Sequence, residues 1–286
     1  MHIAFVIVHY RQLALTHRCL QQLLQTQQSH FSIYLIDNAS ADGSLEDLQS
    51  AFAADSRLHW LPQNQNLGFG GGCNAGIAAA LADGADGVLL LNNDAWPEAD
   101  LLGPLTKTVQ HYGPRALITG WIDDAEGRPW YRGGHYALWR VATWHHLQPR
   151  SAAVYPVRFA SGCLLWLPRA ALQQLQGFDA RYFLYLEDLD LCLRARAAGL
   201  PLLCQPALRV RHQASASTGG SRSALSVYYQ NRNRWLLLQA HGKAWHWPVF
   251  IVVYALGLGK RLLQPGLRQP SLRALRDALL QRWGPR

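Results

Sequence analysis

The run Gly87-Val-Leu-Leu-Leu91, ending in Asn92-Asn93-Asp94, sets the reading of this chain. Five uncharged residues, four of them branched aliphatics, suit a short strand buried on both faces, and the polar triplet marks where that strand leaves the core. The same unit recurs upstream. Ile3-Ala-Phe-Val-Ile-Val8 runs into His9-Tyr10, Ser32-Ile-Tyr-Leu-Ile36 runs into Asp37-Asn38, and Leu58-His-Trp-Leu61 forms a third strand. Helical patterns over 14–25, 44–53, 71–83 and 98–111 separate these runs, and Ala116-Leu-Ile-Thr119 follows as a fifth strand. Alternating strands and helices predict an α/β domain with a mostly parallel sheet flanked by helices. Ligands of such sheets bind beyond the carboxyl ends of the strands, where the polar motifs collect.

Residues 122–157 break the rhythm with an irregular stretch rich in Gly, Pro, Trp and His. A strand at 161–167 and helices at 168–176 and 187–198 follow. The expected organisation is a catalytic body over 1–212, a linker or lid over 213–223 and a helical appendage over 224–286. Gly and Ser dominate the middle segment, as in flexible connections.

Charge is unevenly placed along the chain. Residues 1–208 carry 14 Lys/Arg against 17 Asp/Glu, whereas residues 209–286 carry 13 against one. Charged residues make up 16% of the whole, below the usual share of about 25%, so something other than water is expected to cover part of the surface. Trp235, Trp245, Trp247, Phe250, Tyr254 and Trp283 accompany the basic residues of the tail. Aromatic and basic residues around an apolar run point to an anionic membrane surface, and no nucleic-acid motif is present.

Residues 244–259 lack charge but fall short of the roughly 20 residues a span requires. Leu272, Leu275, Leu279 and Trp283 form a stripe suited to a helix lying in the interface. Packing of these helices on the body or in a homodimer is the alternative. The five cysteines are odd in number and contain no CxxC pair, which fits buried thiols in a reducing compartment. No cleavable leader is recognised at the N-terminus, so the expected place is cytoplasmic, peripheral on the inner face of the cell membrane.

The chemistry-bearing segment is Phe183-Leu-Tyr-Leu-Glu187-Asp188-Leu-Asp190-Leu-Cys-Leu-Arg194. Three carboxylates among apolar residues usually hold a cation or move a proton. A solvated first helical turn, where acids favour the positive helix end, is the plainer reading. The apolar lead-in argues against it. Other candidate segments are Asn66-Leu-Gly68-Phe-Gly-Gly-Gly-Cys-Asn74-Ala-Gly76, which opens a helix and lets backbone approach phosphate, and Tyr228-Tyr-Gln-Asn-Arg232-Asn-Arg-Trp235. A Rossmann fingerprint would place its glycines after the first strand, unlike this loop.

In their order and spacing over about residues 3–238, these motifs resemble the nucleotide-sugar-dependent glycosyltransferases of family 2, in the rhamnosyltransferase-like branch. The resemblance implies a GT-A fold and net inversion. It implies a nucleotide-diphospho-sugar donor, such as dTDP-rhamnose or a UDP-hexose, and a glycan or lipid-linked acceptor in bacterial polysaccharide synthesis. By the same resemblance Asp188 is the general base, with Glu187 supporting it. Asp94 and His212 hold Mn2+ or Mg2+, although Asn92 stands where the family usually carries the first aspartate of Asp-x-Asp. Tyr10, Asp37, Asn66, Gly68, Asn74, Asn93, Arg194 and Arg232 fall at donor-binding positions, with pairing to the acids of its own segment as the other reading of Arg194. A nucleotidyltransferase would need a basic Gly-rich loop straight after the first strand, where His9-Tyr-Arg-Gln12 stands instead. An inactive nucleotide-sugar-binding scaffold would be expected to lose Asp94, Asp188 or His212, and all three are present.

Overall fold

The computed structural model describes residues 1–27, 30–213 and 223–285. The first half alternates as expected: β1 (Ile3–His9), α1 (Leu13–Thr26), β2 (Phe31–Asp37), α2 (Ser44–Ala51), β3 (Leu58–Pro62), α3 (Gly68–Ala82) and β4 (Gly87–Leu91). Then come β5 (Ala95–Pro97), α4 (Leu102–Tyr112), β6 (Leu117–Asp124), β7 (Pro129–Tyr131), β8 (Gly134–Ala137), β9 (Ala142–His145) and β10 (Tyr155–Pro156). The body closes with β11 (Leu164–Pro168), α5 (Arg169–Leu175), a 3-10 turn (Ala180–Tyr182), α6 (Glu187–Ala197) and β12 (Leu202–His212). Three helices complete the described chain: α7 (Ala224–His241), α8 (His246–Leu262) and α9 (Pro265–Leu279).

One ten-stranded sheet runs in the order β10-β12-β6-β11-β4-β1-β2-β3, with β5 added on β12 and β7 on β6. The pairs β1–β2, β1–β4, β2–β3 and β6–β12 are parallel, while β11 runs antiparallel between β4 and β6. Every residue of β4 is buried, as its uninterrupted apolar run predicts for a central strand.

Three expectations need correction. Helix α3 begins at Gly68, so most of its glycines lie inside a helix and not in a phosphate-cradling loop. They let the helix approach its neighbours: a Cβ on Gly72 would lie 3.0 Å from Val8, and one on Gly76 would lie 2.5 Å from Ile36. The irregular stretch 122–157 contains the end of β6, the strands β7 and β10, and the β8–β9 hairpin. Strand β12 was not expected at all. Its Pro206 and a register shift between Gln205 and Arg209 interrupt the pattern, yet it holds the parallel pairing with β6.

Of the expected linker or lid, residues 214–222 lie outside the described residues. The tail helices pack against the body in a way the amphipathic stripe did not indicate. Phe250 and Tyr254 of α8 are buried, each with its ring centroid 5.3 Å from that of Trp235. The face of α9 turned inward is Ser271, Ala274, Asp277 and Ala278, whereas Leu272 and Leu279 of the predicted stripe are exposed. Leu275 and Trp283 pack on the core. Pro248 sits in the first turn of α8, where a missing N–H costs no helical bond. No described helix is long and apolar enough to cross a membrane.

Candidate active site

The carboxyl ends of β1, β2 and β4 border a cleft of about 320 Å³. Tyr10, Asn66, Gly68, Asn93, Asp94, Glu187, Asp188 and His212 line it. On one side, Asn38 organises the approach. Its amide donates to Asn66 Oδ1 and to the Gly68 carbonyl, both at 3.0 Å, and its oxygen accepts from Leu67 N–H at 2.8 Å. Asn66 Oδ1 also accepts from Gly68 N–H. Gly68 is required here, because its φ is +74° and a Cβ would lie 2.1 Å from the Phe183 carbonyl oxygen. Phe69 N–H donates to that same carbonyl, tying the start of α3 to the acidic segment.

Asp37 ends β2 beside this cleft, buried, with Oδ1 4.0 Å from His9 Nε2. It is not among the residues lining the cleft. His9 turns inward, its two ring nitrogens 2.8 Å from the hydroxyls of Thr16 and Ser44. Burial lowers its pKa against the opposing pull of Asp37.

At the end of β4, strand pairing explains how distant residues meet. Antiparallel pairing of β5 with β12 sets Ala95 opposite His212, and Gln213 N–H donates to the Asp94 carbonyl at 2.9 Å. His212 Nε2 thereby lies 3.1 Å from Asp94 Oδ1. Beyond that charge contact, Asp94 Oδ1, His212 Nδ1 and Asn92 Oδ1 are buried without a hydrogen-bond partner among the described residues. Unpartnered buried oxygens beside an imidazole are a donor set that fits a divalent cation. Among the described residues no group of three or more His, Cys, Asp or Glu side chains is placed to hold a metal alone. Such a pair fits an ion that shares its shell with phosphate oxygens and water. The ring of Trp130 stands edge-on to His212, with centroids 5.0 Å apart.

The acidic segment approaches from the opposite wall. Phe183, Tyr185 and Leu186 all have positive φ, between 61° and 71°, a costly conformation for residues with side chains. Their neighbours hold them there. Asn233 of α7 donates to the carbonyls of Tyr182, Leu184 and Tyr185, and the Phe183 ring stacks on Tyr229 at 4.9 Å. Asp188, half-buried in the first turn of α6, accepts from the N–H groups of Gly162 and Leu189 at 3.2 and 2.8 Å. Burial raises its pKa despite these bonds. Glu187 is raised further, by burial and then by the charge of Asp188, and its Oε2 is buried without a hydrogen-bond partner. Asp188 at the cleft edge is therefore the better ionised of the two.

Several candidates from sequence are placed elsewhere. Arg232 is 1% exposed and absent from the cleft lining; its donors go to the carbonyls of Gly284, Arg181 and Tyr182. Arg194 likewise binds Asp190 and the carbonyls of Leu175 and Gly177. Both guanidiniums are thus committed to backbone and carboxylate partners away from the cleft, which corrects their assignment to phosphate. Asn74 clamps the turn before the acidic segment, bonding both the N–H and the carbonyl of Phe178 at 2.8 Å. Asp190 joins Arg194 and His241, each at 2.7 Å, and so pins α6 to α7. Sequence reasoning gave no individual role to Asn38, Gly162, Trp130 or Asn233, which carry no charge to draw attention.

Asp188 also borders a second cavity, of about 590 Å³. Glu187, Ser161, Tyr185 and Trp130 share both walls, and the β8–β9 hairpin with α7 and α8 encloses the far side. Both carboxylates thus border two chambers.

Residues 2–237 match the family model described as "Glycosyltransferase like family 2". The chain is similar to the N-acetylglucosaminyl-diphospho-decaprenol L-rhamnosyltransferase of Mycobacterium tuberculosis, with 29% identity over 262 residues, covering 81% of this chain and 82% of that one. Among solved structures it resembles Staphylococcus aureus TarS 1–349 in complex with UDP-GlcNAc (TM-score 0.62, 14% identity, 98% of this chain and 81% of that one). It also resembles GalNAc-T7 with UDP, GalNAc and Mn2+ (TM-score 0.65, 15% identity), covering 84% of this chain and 48% of that longer one.

Proposed function

We propose, for a chain that belongs to the family 2 glycosyltransferases, a metal-dependent inverting transfer of a sugar from a nucleotide-diphospho-sugar to a glycan or lipid-linked acceptor. The observation that carries this reading is the meeting of Asp94 and His212 in the same cleft as Asp188. The donor would enter over Tyr10, Asn66, Gly68 and Asn93, with Asp37 beneath. Asp94 and His212 would hold Mn2+ or Mg2+, which when bound neutralises charge on the leaving diphosphate. The diphospho-decaprenol named for the mycobacterial relative and the Mn2+ present with GalNAc-T7 support the same reading.

Asp188 accepts the proton of the acceptor hydroxyl as its oxygen bonds to the anomeric carbon. The bond from that carbon to the diphosphate breaks on the opposite face, and its electron pair leaves with the nucleoside diphosphate. Hydrogen bonds from Gly162 and Leu189 fix the carboxylate while burial keeps it basic. Glu187, its pKa raised further, holds a proton beside it and limits the repulsion between the pair.

The tail supports peripheral contact with an anionic membrane at the cytoplasmic face. Ile251, Val252, Leu256, Leu263 and Leu279 are exposed, with Lys260, Arg268, Arg273 and Arg276 nearby in sequence. The test of the main reading is a thermal-shift panel of nucleotide-diphospho-sugars with Mn2+. A ligand at 100 times its Kd stabilises the native state by about 2.7 kcal/mol. A donor that shifts the melting point only with metal supports it; no shift with any member of the panel sinks it.

A further inference from the structure

The second cavity has a chemistry that proton transfer does not use. Three arginines line it: Arg140 on the turn of the β8–β9 hairpin, Arg234 on α7 and Arg261 on α8. Among the described residues none of the three forms a salt bridge, and Arg234 Nε, Arg261 Nε and Arg261 Nη2 are buried without a hydrogen-bond partner. The one bond that links them, from Arg234 to the Arg140 carbonyl, gathers two of the charges and neutralises neither. Burial, and then the nearby charge of Arg261, depress the pKa of Arg234 to about 10. Gly257 leaves room for the third charge, since a Cβ there would lie 3.2 Å from Arg261 Nη1. The guanidinium of Arg234 lies over the Phe250 and Tyr254 rings and that of Arg261 over Tyr254, and these like charges are gathered with no carboxylate paired to them among the described residues. Such a cluster suits an anion, and guanidinium forks match phosphate oxygens.

The helix that supplies Arg261 continues the argument. Val253, Gly257 and Arg261 face the cavity. Val252 and Leu256, one position earlier and so about 100° around the helix, are 59% and 66% exposed. An anion in the cavity therefore has bare apolar surface beside it. Glu187 and Asp188 line the same cavity.

We infer that Arg140, Arg234 and Arg261 bind the diphosphate of a lipid-linked acceptor, whose sugar reaches Asp188 and whose hydrocarbon chain lies along the exposed stripe of α8. The inference rests on the glycosyl-transfer reading above for the role of Asp188 and for a lipid-linked acceptor, and it adds the residues that take the acceptor's diphosphate. Two diphosphates then flank the reaction. The donor's lies on the Asp94 side and the acceptor's among arginines.

Farnesyl diphosphate, farnesol and inorganic diphosphate, each titrated into the full chain in EDTA, separate the contributions. Farnesyl diphosphate should bind better than either of the others. Its affinity should fall about 10- to 100-fold in the Arg234→Gln, Arg261→Gln double variant, because hydrogen bonds to a charged partner are lost. Asp94→Ala should leave that affinity unchanged. Retained nucleotide binding with Mn2+ shows that the double variant is folded, and the single Arg261→Gln serves if it is not. Equal binding by wild type and variant, or a loss caused by Asp94→Ala instead, overturns the subsite. Inorganic diphosphate binding as tightly as the lipid overturns a lipid-linked source, and farnesol doing so overturns the anion site. If no nucleotide-sugar binds the wild type while farnesyl diphosphate still follows the arginines, the transferase reading fails and the subsite stands.

Discussion

Arg232 and Arg234 sit two residues apart on α7 and lead opposite lives. Arg232 spends its donors on three backbone carbonyls beneath the acidic segment, while Arg234 keeps Nε open in the wall of the second cavity. The contrast extends to the two chambers themselves. The donor-side cleft offers amides, an imidazole and carboxylates. The second chamber offers guanidiniums. Charge alone therefore does not identify a phosphate site; what distinguishes one is charge whose hydrogen-bond capacity the fold leaves unspent.

The sharpest way to break this division acts on Asp188, which borders both chambers. Asp188→Asn should slow turnover by about 10²-fold or more while nucleotide-sugar binding stays, as measured by initial rates and by calorimetry. Near-normal turnover would remove Asp188 from the role of base. Because burial raises its pKa, and the base acts only when ionised, the wild-type rate should fall with decreasing pH above the ordinary carboxylate range. A rate flat down to pH 4 would contradict this.

Next in size is the cation. Chelation should abolish transfer and Mn2+ or Mg2+ should restore it. Asp94→Ala should raise the metal needed for half-activity at least about tenfold, the low end of what even a supporting partner costs. Full activity in excess EDTA would make the donor cleft work without metal and erase its contrast with the arginine chamber.

A smaller effect separates structural from open groups on α7. Asn233→Ala should destabilise the fold by about 2 kcal/mol, a fall in Tm of roughly 4–8 °C, since three carbonyls lose a donor. Arg234→Gln, which removes an unneutralised charge, should lower Tm less. The reverse order would put the structural burden on Arg234.

Smallest is the membrane term. Arg268→Gln should weaken binding to anionic vesicles by about 1 kcal/mol, and added salt should weaken the wild type similarly. Vesicle binding insensitive to both would leave α8 and α9 as a protein interface.

Much of this arrangement was legible before the structure. The apolar runs of β1, β2 and β4 gave their positions and burial, and with them the side of the sheet where Tyr10, Asn93 and Asp94 gather. What was hidden depended on pairing between distant segments. Ala95-Trp96-Pro97 is a strand only because β12 lies beside it, and β12 itself is masked by Pro206. The sequence pattern also overvalued Arg194 and Arg232, because a carbonyl partner leaves no mark in side-chain composition. The glycines of α3 carried the same ambiguity. Close packing against Val8 and Ile36 and close approach to phosphate call for the same residue.

The bonds that tie Gly284 to the turn before the acidic segment and to α7 bear on synthesis. Gly284 N–H donates to the Arg181 carbonyl, and the Gly284 carbonyl accepts from Arg232. Chains emerge from the ribosome N-terminus first and fold in that order. The sheet with its donor-side strands can assemble early, but the loop that presents Asp188 gains its last supports only after residue 284 has left the exit tunnel. On the transfer reading proposed above, chains still short of residue 284 would hold a donor cleft before its base is set, a built-in delay between the capacity to bind and the capacity to transfer.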